Sequence, residues 1–335
     1  MMKILKYTAV ATALTIGLYG CGGDSGGGNT ATSQVSFYVS DAPVDSAEEV
    51  VITVKQIEVV SSSGETYTQD LSDGNNDYVQ FDILDYEGTE RLLIAEDFTL
   101  PVGEYKSMTL HVVPDSSATM NYVLNDQIQH PLKQPSNKLK LGGFEVTVEG
   151  TQGFTIEFDL RKSLVERGID AKNGYILKPH GISIHDNTTV AKLSGIVSSD
   201  LYTGENCPVD DDMTQNGFVY LYENHGLEVT TLVDNIDSTD EEFDGNLPPD
   251  SYQVPVASVG VDPVTGEYEF GYLASGLYTA AYTCNGSSDS PINWDNLDIP
   301  YTQTNLATGN DGLIEVELTD GMDKDDADFN PAVAP

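Results

Sequence analysis

The chain has 335 residues, of which 54 are Asp or Glu and 15 are Lys or Arg, so its formal net charge is −39 at pH 7. This charge argues against nucleic acid and anionic lipid surfaces as partners, because both are polyanions. The length suffices for two domains of ordinary size, each with its own hydrophobic core.

The N-terminal stretch has the pattern of an export signal. An apolar run from Tyr7 to Leu18 follows two lysines, and it is too short to span a bilayer. The sequence Leu18-Tyr19-Gly20-Cys21 resembles the lipobox of bacterial lipoproteins. The resemblance implies that residues 1–20 are a signal peptide and that Cys21 receives a diacylglycerol and becomes the first residue of the mature chain. An ordinary secretory signal with a chance cysteine is the alternative.

Residues 21–34 are predicted to be a lipid-bearing tether. They are rich in Gly, Ser and Thr and should form a flexible coil that holds the following domain about 20 Å from the lipid. Gly22 takes the place of the aspartate associated with inner-membrane retention. We therefore expect a lipid-anchored protein of the cell envelope, at the outer membrane of a Gram-negative bacterium.

From Val35 onward the apolar residues follow the period of two that is typical of β-strands. In the run from Val50 to Val59 the alternation slips by one residue, which predicts a β-bulge near Lys55 and Gln56. A short helix is predicted over residues 162–167, closed by Gly168.

Four blocks in this region resemble the successive motifs of the bacterial domain-of-unknown-function 4382 family: Phe37–Pro43, Leu100–Tyr105, Phe158–Leu164 and Tyr175–Pro179. The resemblance covers about residues 34–186. It implies an exported, mostly β domain, commonly found on lipoproteins and without an established activity. The first domain is accordingly predicted at 35–186.

A second domain is predicted at 190–320. The stretch Asp262–Thr279 reads as two strands joined at Gly276 in a β-hairpin. With Leu193–Val197 and Phe218–Tyr222 it resembles the carboxypeptidase-regulatory-like, transthyretin-like sandwich. The acidic insertion from Asp234 to Pro255 is longer than that family's usual loop. The predicted fold class is therefore all-β, with two β-sandwich-like domains, followed by a solvated acidic tail at 321–335.

Motifs of the common enzyme classes are absent from the sequence, so no catalytic residue is assigned and the protein is predicted not to be an enzyme. His180 is expected to be a core histidine. Arg161, Lys162 and Glu166 could form an acid–base set, but we interpret Arg161 as part of a surface ion pair with Asp159.

Phe218, Tyr220 and Tyr222 share one face of a predicted strand and could stack on a sugar, although cross-strand packing explains such rows more often. The acidic clusters could bind calcium through their carboxylates. The alternative is that they bind no metal and form a solvated tail. The candidate calcium ligands are Asp210, Asp211, Asp212, Asp323, Asp325 and Asp328.

With Cys21 lipidated, Cys207 and Cys284 are the remaining cysteines in an oxidising compartment, which predicts a disulfide within the second domain. Two buried free thiols are the alternative.

The sequence thus predicts a non-enzymatic, lipid-anchored envelope protein that acts in binding, adhesion or surface assembly. Its expected partners are the membrane, through the lipid, and an unidentified envelope protein or polysaccharide. A carbohydrate-binding lipoprotein and an unrecognised hydrolase remain alternatives.

Overall fold

The computed structural model describes residues 31–42, 47–86, 88–115, 118–147, 150–168, 172–202, 217–238, 243–249, 251–300 and 312–329. The predicted signal peptide and Cys21 lie outside these ranges. The described chain is all-β, as predicted. No helix in these ranges is long and apolar enough to cross a membrane.

The first half of the described chain holds fourteen strands and one α-helix. The strands are β1 (Thr32–Ala42), β2 (Glu49–Ser61), β3 (Thr66–Asp70), β4 (Val79–Asp82), β5 (Leu92–Pro101), β6 (Gly103–Val112), β7 (Tyr122–Asn125), β8 (Ile128–Lys133), β9 (Lys138–Leu141), β10 (Phe144–Val146), β11 (Gly150–Asp159), β12 (Leu164–Glu166), β13 (Tyr175–Leu177) and β14 (Ile182–Asp186). The helix is α1 (Leu160–Ser163), and 3₁₀ turns lie at Ile83–Tyr86 and Pro135–Asn137.

The second half of the described chain holds six strands: β15 (Ala191–Ile196), β16 (Phe218–Glu223), β17 (Ala257–Gly260), β18 (Glu267–Leu273), β19 (Gly276–Thr283) and β20 (Leu313–Leu318). The helix α2 (Ser199–Tyr202) and the 3₁₀ turns Val229–Thr231 and Gly286–Ser288 complete it.

Two sheets of the first half face each other around one core. The smaller has the order β14-β11-β1-β5, and the larger runs β10-β6-β2-β7-β8-β13-β12, with β3 and β4 on β2 and β9 on β6. Apolar residues from both sheets meet between them: the ring of Phe37 in β1 lies 5.6 Å from that of Phe144 in β10. This arrangement is sandwich-like and follows from the period-two alternation of the strands.

The predicted β-bulge is confirmed. The pairing of β2 with β6 shifts register between Val54 and Gln56, which leaves Lys55 exposed and returns Ile57 to the core. The tether, by contrast, ends earlier than predicted, because β1 already begins at Thr32. The first residues of β1 pair with both β5 and β11.

The second half forms another sandwich-like pair of sheets. One has two strands, β15-β18, and the other has the order β17-β16-β19-β20. Their facing sides share a core that includes Leu193, Val219, Phe270 and Tyr282. The other side of the four-stranded sheet is covered as well, by loop residues such as Leu232.

The predicted β-hairpin is wrong in its pairing. β18 pairs with β15, whereas β19 pairs with β16 and β20, so the turn at residues 274–275 carries the chain from one sheet to the facing sheet. Both strands bury one face in the shared core, and alternation alone does not distinguish this arrangement from a hairpin.

The predicted helix over 162–167 is also displaced. The helix α1 begins at Leu160 and ends at Ser163, with the Asp159 side chain accepting a hydrogen bond from the backbone N–H of Lys162. Residues 164–166 then pair with β13 as a strand. The capping carboxylate therefore starts the helix two residues before the predicted position.

The acidic C-terminal segment is docked up to Phe329 and is not a solvated tail in its described part. Lys324 forms a parallel bridge with Leu193 in β15, and Phe329 forms one with Val197, directly after β15. Phe329 is fully buried and its ring packs beside those of Tyr268 and Tyr282. The segment thus extends the smaller sheet of the second half.

By contacts, the described residues from Ala31 onward belong to one unit. The hydrophobic clusters of the two halves are nevertheless separate, one built from residues up to Ile184 and the other from Ala191 onward. The division into domains at 35–186 and 190–320 stays a prediction.

Candidate functional site

The predicted aromatic platform is buried. The side chains of Phe218, Tyr220 and Tyr222 are 0 % exposed and lie in the core on the outer face of the four-stranded sheet. The Tyr222 hydroxyl donates to the carbonyl oxygen of Val233 at 2.7 Å. A surface stacking role for this row is therefore wrong, and packing accounts for it.

The candidate calcium ligands in the C-terminal segment have other partners. Asp323 and Asp328 each accept a hydrogen bond from a backbone N–H of β15, at 2.9 Å, and Asp325 accepts one from the Ser194 hydroxyl. Among the described residues, no group of three or more His, Cys, Asp and Glu could hold a metal ion. Asp210, Asp211 and Asp212 lie outside the described residues, so calcium binding there is still a prediction.

The cysteine predictions fall mostly outside the described chain. Cys21 and Cys207 are both in undescribed segments, while Cys284 follows β19 and is 1 % exposed. Lipidation of Cys21 and the bridge between Cys207 and Cys284 remain predictions.

A buried ion pair joins the two halves of the described chain. α1 turns the Arg161 side chain away from solvent, and its Nη2 lies 3.5 Å from Asp289 Oδ2 and donates to the Gly286 carbonyl at 2.6 Å. The guanidinium also stands 3.9 Å from the ring centroid of Phe218. The interpretation of Arg161 as a surface residue is therefore wrong.

Asp289 is the centre of this network. Its Oδ2 accepts hydrogen bonds from the Tyr220 hydroxyl at 2.6 Å and from Asn235 Nδ2 at 2.5 Å. Its Oδ1 is buried and has no hydrogen-bond partner among the described residues. Burial raises the pKa of Asp289 to about 7, against the opposing charge of Arg161. We call Arg161, Tyr220, Asn235 and Asp289 the junction network.

Lys162, next to Arg161, makes a second link between the halves. Its Nζ donates to the carbonyl oxygens of Pro255, at 3.0 Å, and Val256, and it lies 3.7 Å from Asp159 Oδ2. Burial lowers the pKa of Lys162, and the neighbouring Asp159 opposes this shift. Because the ammonium is engaged with these oxygens, it acts as a structural clamp.

A cleft of about 350 Å³ lies beside this clamp, between β14 and the sheets of the second half. In its wall, His185 Nε2 lies 2.7 Å from Ser183 Oγ and 3.2 Å from Glu157 Oε2. A Ser–His–acid relay needs the hydroxyl and the carboxylate on different ring nitrogens. The arrangement does not match such a relay. His180, expected in the core, is exposed in the turn before β14.

A second cleft, of about 410 Å³, is formed by loops of the second half. Its lining residues come from three parts of the chain: 229–233, 248–249 with 251–252, and 294–300. The side chains of Trp294 and Tyr252 are half-buried in it, and Asn296 and Asp298 are exposed at its rim. We call it the Trp294 cleft.

The buried carboxylate of Asp234 holds one wall of the Trp294 cleft. Its Oδ1 accepts from the backbone N–H of Asp295 at 3.1 Å, and its Oδ2 accepts from that of Leu297 at 2.8 Å. Burial raises the pKa of Asp234 to about 6, and these two hydrogen bonds limit the shift. The acidic insertion that begins at Asp234 is thus partly a buried support.

Neither the junction network nor the Trp294 cleft was assigned from the sequence. Arg161 is adjacent to charged residues in a strand-like run, so the pattern placed it on a solvent face. A usable signal for the cleft was Trp294, the only tryptophan in the chain, in a loop rich in Asn, Asp and Pro.

Comparison with protein families matches residues 32–179 to the family described as Domain of unknown function (DUF4382). This confirms the resemblance predicted for the first half. No curated protein matches the chain. The resemblance of the second half to the carboxypeptidase-regulatory-like sandwich stays a prediction.

Comparison with solved structures gives similarity over most of the chain, at low identity. The Bacillus anthracis TIE protein is 10% identical over 90% of this chain and 34% of that protein, with a TM-score of 0.21. The chain thus spans about a third of that protein's length. A streptococcal ancillary pilin is 11% identical over 88% of this chain and 68% of its own, with a TM-score of 0.22.

The minor pilin of Streptococcus agalactiae is 10% identical over 90% of this chain and 97% of its own, with a TM-score of 0.21.

Proposed function

We propose that this protein is a lipid-anchored component of the bacterial cell envelope that acts in binding, adhesion or surface assembly and not in catalysis. The observation that carries the proposal is the sequence Leu18-Tyr19-Gly20-Cys21 directly after an uncharged apolar run. The DUF4382 match over residues 32–179 is compatible with it.

The excess of acidic residues supports an exported protein whose folded part is kept soluble by its net negative charge. Binding is then the simplest use of a β-sandwich carried on a lipid and a tether.

The anchor is tested by Cys21→Ser in cells fed a clickable fatty acid. We expect the unchanged protein to carry the label and to partition with membranes, because its thiol accepts the lipid. The Cys21→Ser protein should be unlabelled and either unprocessed or released. Ser25→Ala, in the predicted tether, is the matched control and should behave like the unchanged protein. A Cys21→Ser protein that is still cleaved and still labelled would overturn the proposal.

Carbohydrate binding is the second candidate function. The residues predicted for it are buried, so it no longer rests on Phe218, Tyr220 and Tyr222. The half-buried aromatic side chains of the Trp294 cleft favour it instead.

A further inference from the structure

The Trp294 cleft has the dimensions of a small-ligand site. Its volume of about 410 Å³ falls within the range of roughly 300–1,000 Å³ that is usual for such sites. That space accommodates one or two pyranose rings of a longer chain. Since it is open to solvent, the remainder of a polymer could extend beyond it.

Two aromatic side chains line this space. Trp294 and Tyr252 are half-buried, each offering an apolar ring with a polar group at its edge. Among the described residues, neither the indole N–H nor the Tyr252 hydroxyl has a hydrogen-bond partner. A sugar ring presents a C–H face to an aromatic ring and hydroxyls around its edge, which complements this pair.

The rim supplies polar groups that can bind hydroxyls. The exposed side chains of Ser251, Asn296 and Asp298 include both donors and acceptors. Sugar hydroxyls both donate and accept, so an amide beside a carboxylate can bind two neighbouring hydroxyls.

Hydrogen bonds fix the backbone of the segments that line the cleft, which favours a preformed site. The buried Asp234 carboxylate fixes the backbone on either side of Asn296 through the N–H groups of Asp295 and Leu297. The facing segments are joined by hydrogen bonds from Val233 N–H to the Gln253 carbonyl, at 3.2 Å, and from Gln253 N–H to that of Thr231, at 2.8 Å.

The charge of the lining selects among sugars. No Lys, Arg or His is among the residues that line the cleft, and Asp298 adds a negative charge. Uronic or sialic acid residues would be repelled, in a chain that already carries a net charge of −39. We propose that the Trp294 cleft binds an uncharged sugar unit of a polysaccharide. This inference rests on the proposed binding role and names its ligand class.

Because Trp294 is the only tryptophan, its fluorescence reports this cleft alone. The full-length lipoprotein in detergent is screened on an array of neutral and acidic glycans. The strongest neutral oligosaccharide is then titrated while tryptophan emission is followed. We expect saturable quenching or a blue shift, and protection of Trp294 from acrylamide.

Trp294→Ala and Tyr252→Ala should each weaken array binding at least tenfold, whereas Tyr252→Phe, which keeps the ring, should retain most of it. The matched control is Tyr67→Ala, a half-buried tyrosine in β3 of the first half, which should bind as the unchanged protein does. Far-UV circular dichroism verifies that each variant is folded.

The inference is overturned if no neutral glycan binds, if acidic glycans bind better, or if folded Trp294→Ala binds unchanged. It is also overturned if a proline-rich peptide, included as a competitor, occupies the cleft and the glycans do not. A protein that carries the lipid yet binds no glycan leaves the proposed anchored role standing and removes only this ligand. A protein that binds glycan but carries no lipid supports the sugar ligand and removes the proposed lipid anchor.

Discussion

At the scale of single residues, Arg161 makes a buried contact between the two halves. It is a buried cation with a carboxylate, a carbonyl and an aromatic ring as partners. Breaking a buried ion pair by removing one partner is strongly destabilising, since the other charge is left without compensation.

We therefore predict that Arg161→Ala lowers the free energy of unfolding by about 3–5 kcal/mol at pH 8, where Asp289 is ionised. Urea unfolding measures it. The control is Arg91→Ala: the exposed Arg91 guanidinium lies 4.4 Å from the ring centroid of Tyr38, and its loss should cost only about 0.5–1 kcal/mol. Equal losses in the two variants would contradict the importance assigned to Arg161.

The raised pKa values of Asp289, about 7, and Asp234, about 6, predict a dependence of stability on pH. Both groups bind a proton more tightly in the folded state. Their contribution is complete below the unfolded pKa near 4 and is lost as the pH rises through 6 and 7. We expect the free energy of unfolding to fall between about pH 4 and pH 7, by at most about 1.4 kcal/mol per pH unit for each group.

Asp289→Asn removes one of the two titrating groups and should flatten this fall near pH 7. Asp320→Asn is the control, because it also removes one negative charge, but from an exposed position. An unchanged slope in Asp289→Asn, measured by urea unfolding across the pH range, would show that Asp289 does not titrate there.

At the scale of elements, the docking of the C-terminal segment on β15 depends on a close backbone approach. A Cβ at Gly195 would lie 2.1 Å from the carbonyl oxygen of Ala327. No side chain can be accommodated there unless the segment moves away.

We predict that Gly195→Ala detaches the C-terminal segment and lowers the free energy of unfolding by about 1–3 kcal/mol, as overpacking does. Hydrogen exchange of the backbone N–H groups of Lys324 and Phe329, which bond to carbonyls of β15, should accelerate. Gly142→Ala is the control, since nothing lies within 4 Å of its Cβ position. Slow exchange in folded Gly195→Ala would refute the docking.

The strands themselves were predictable, because alternation and turn residues are local properties of the chain. The bulge in β2 could be read from a one-residue slip in that alternation. Pairing was not predictable in the same way: β18 and β19 are adjacent in sequence, yet each finds its partners elsewhere. The alternation shows that one face of a strand is covered by an apolar surface. It does not show which other strand forms backbone hydrogen bonds with that strand.

At the scale of the whole molecule, the predicted location outside the cytoplasm determines whether the cysteines are oxidised or reduced. An exported chain meets oxidising conditions, in which Cys207 and Cys284 are expected to form a disulfide. The bridge would close a loop of about 77 residues, for which chain entropy suggests roughly 4–5 kcal/mol of stabilisation.

Nonreducing peptide mapping of protein taken from the envelope should therefore recover one peptide pair joined through Cys207 and Cys284. The Cys21→Ser protein, if it is exported, should keep the same pair and serves as the control. Alkylation of both thiols in denatured, unreduced protein would show that the bridge is absent.

The sequence by itself determined the all-β class and the DUF4382 resemblance of the first half, and it predicts an export signal with a candidate lipid site. These properties follow from residue periodicity and from short contiguous motifs, which act locally. It could not place Arg161 against Asp289 or bring Trp294 and Tyr252 to one cleft, because these residues are far apart in the chain. Only the tertiary structure decided those contacts, since burial and pairing depend on which surfaces meet after folding.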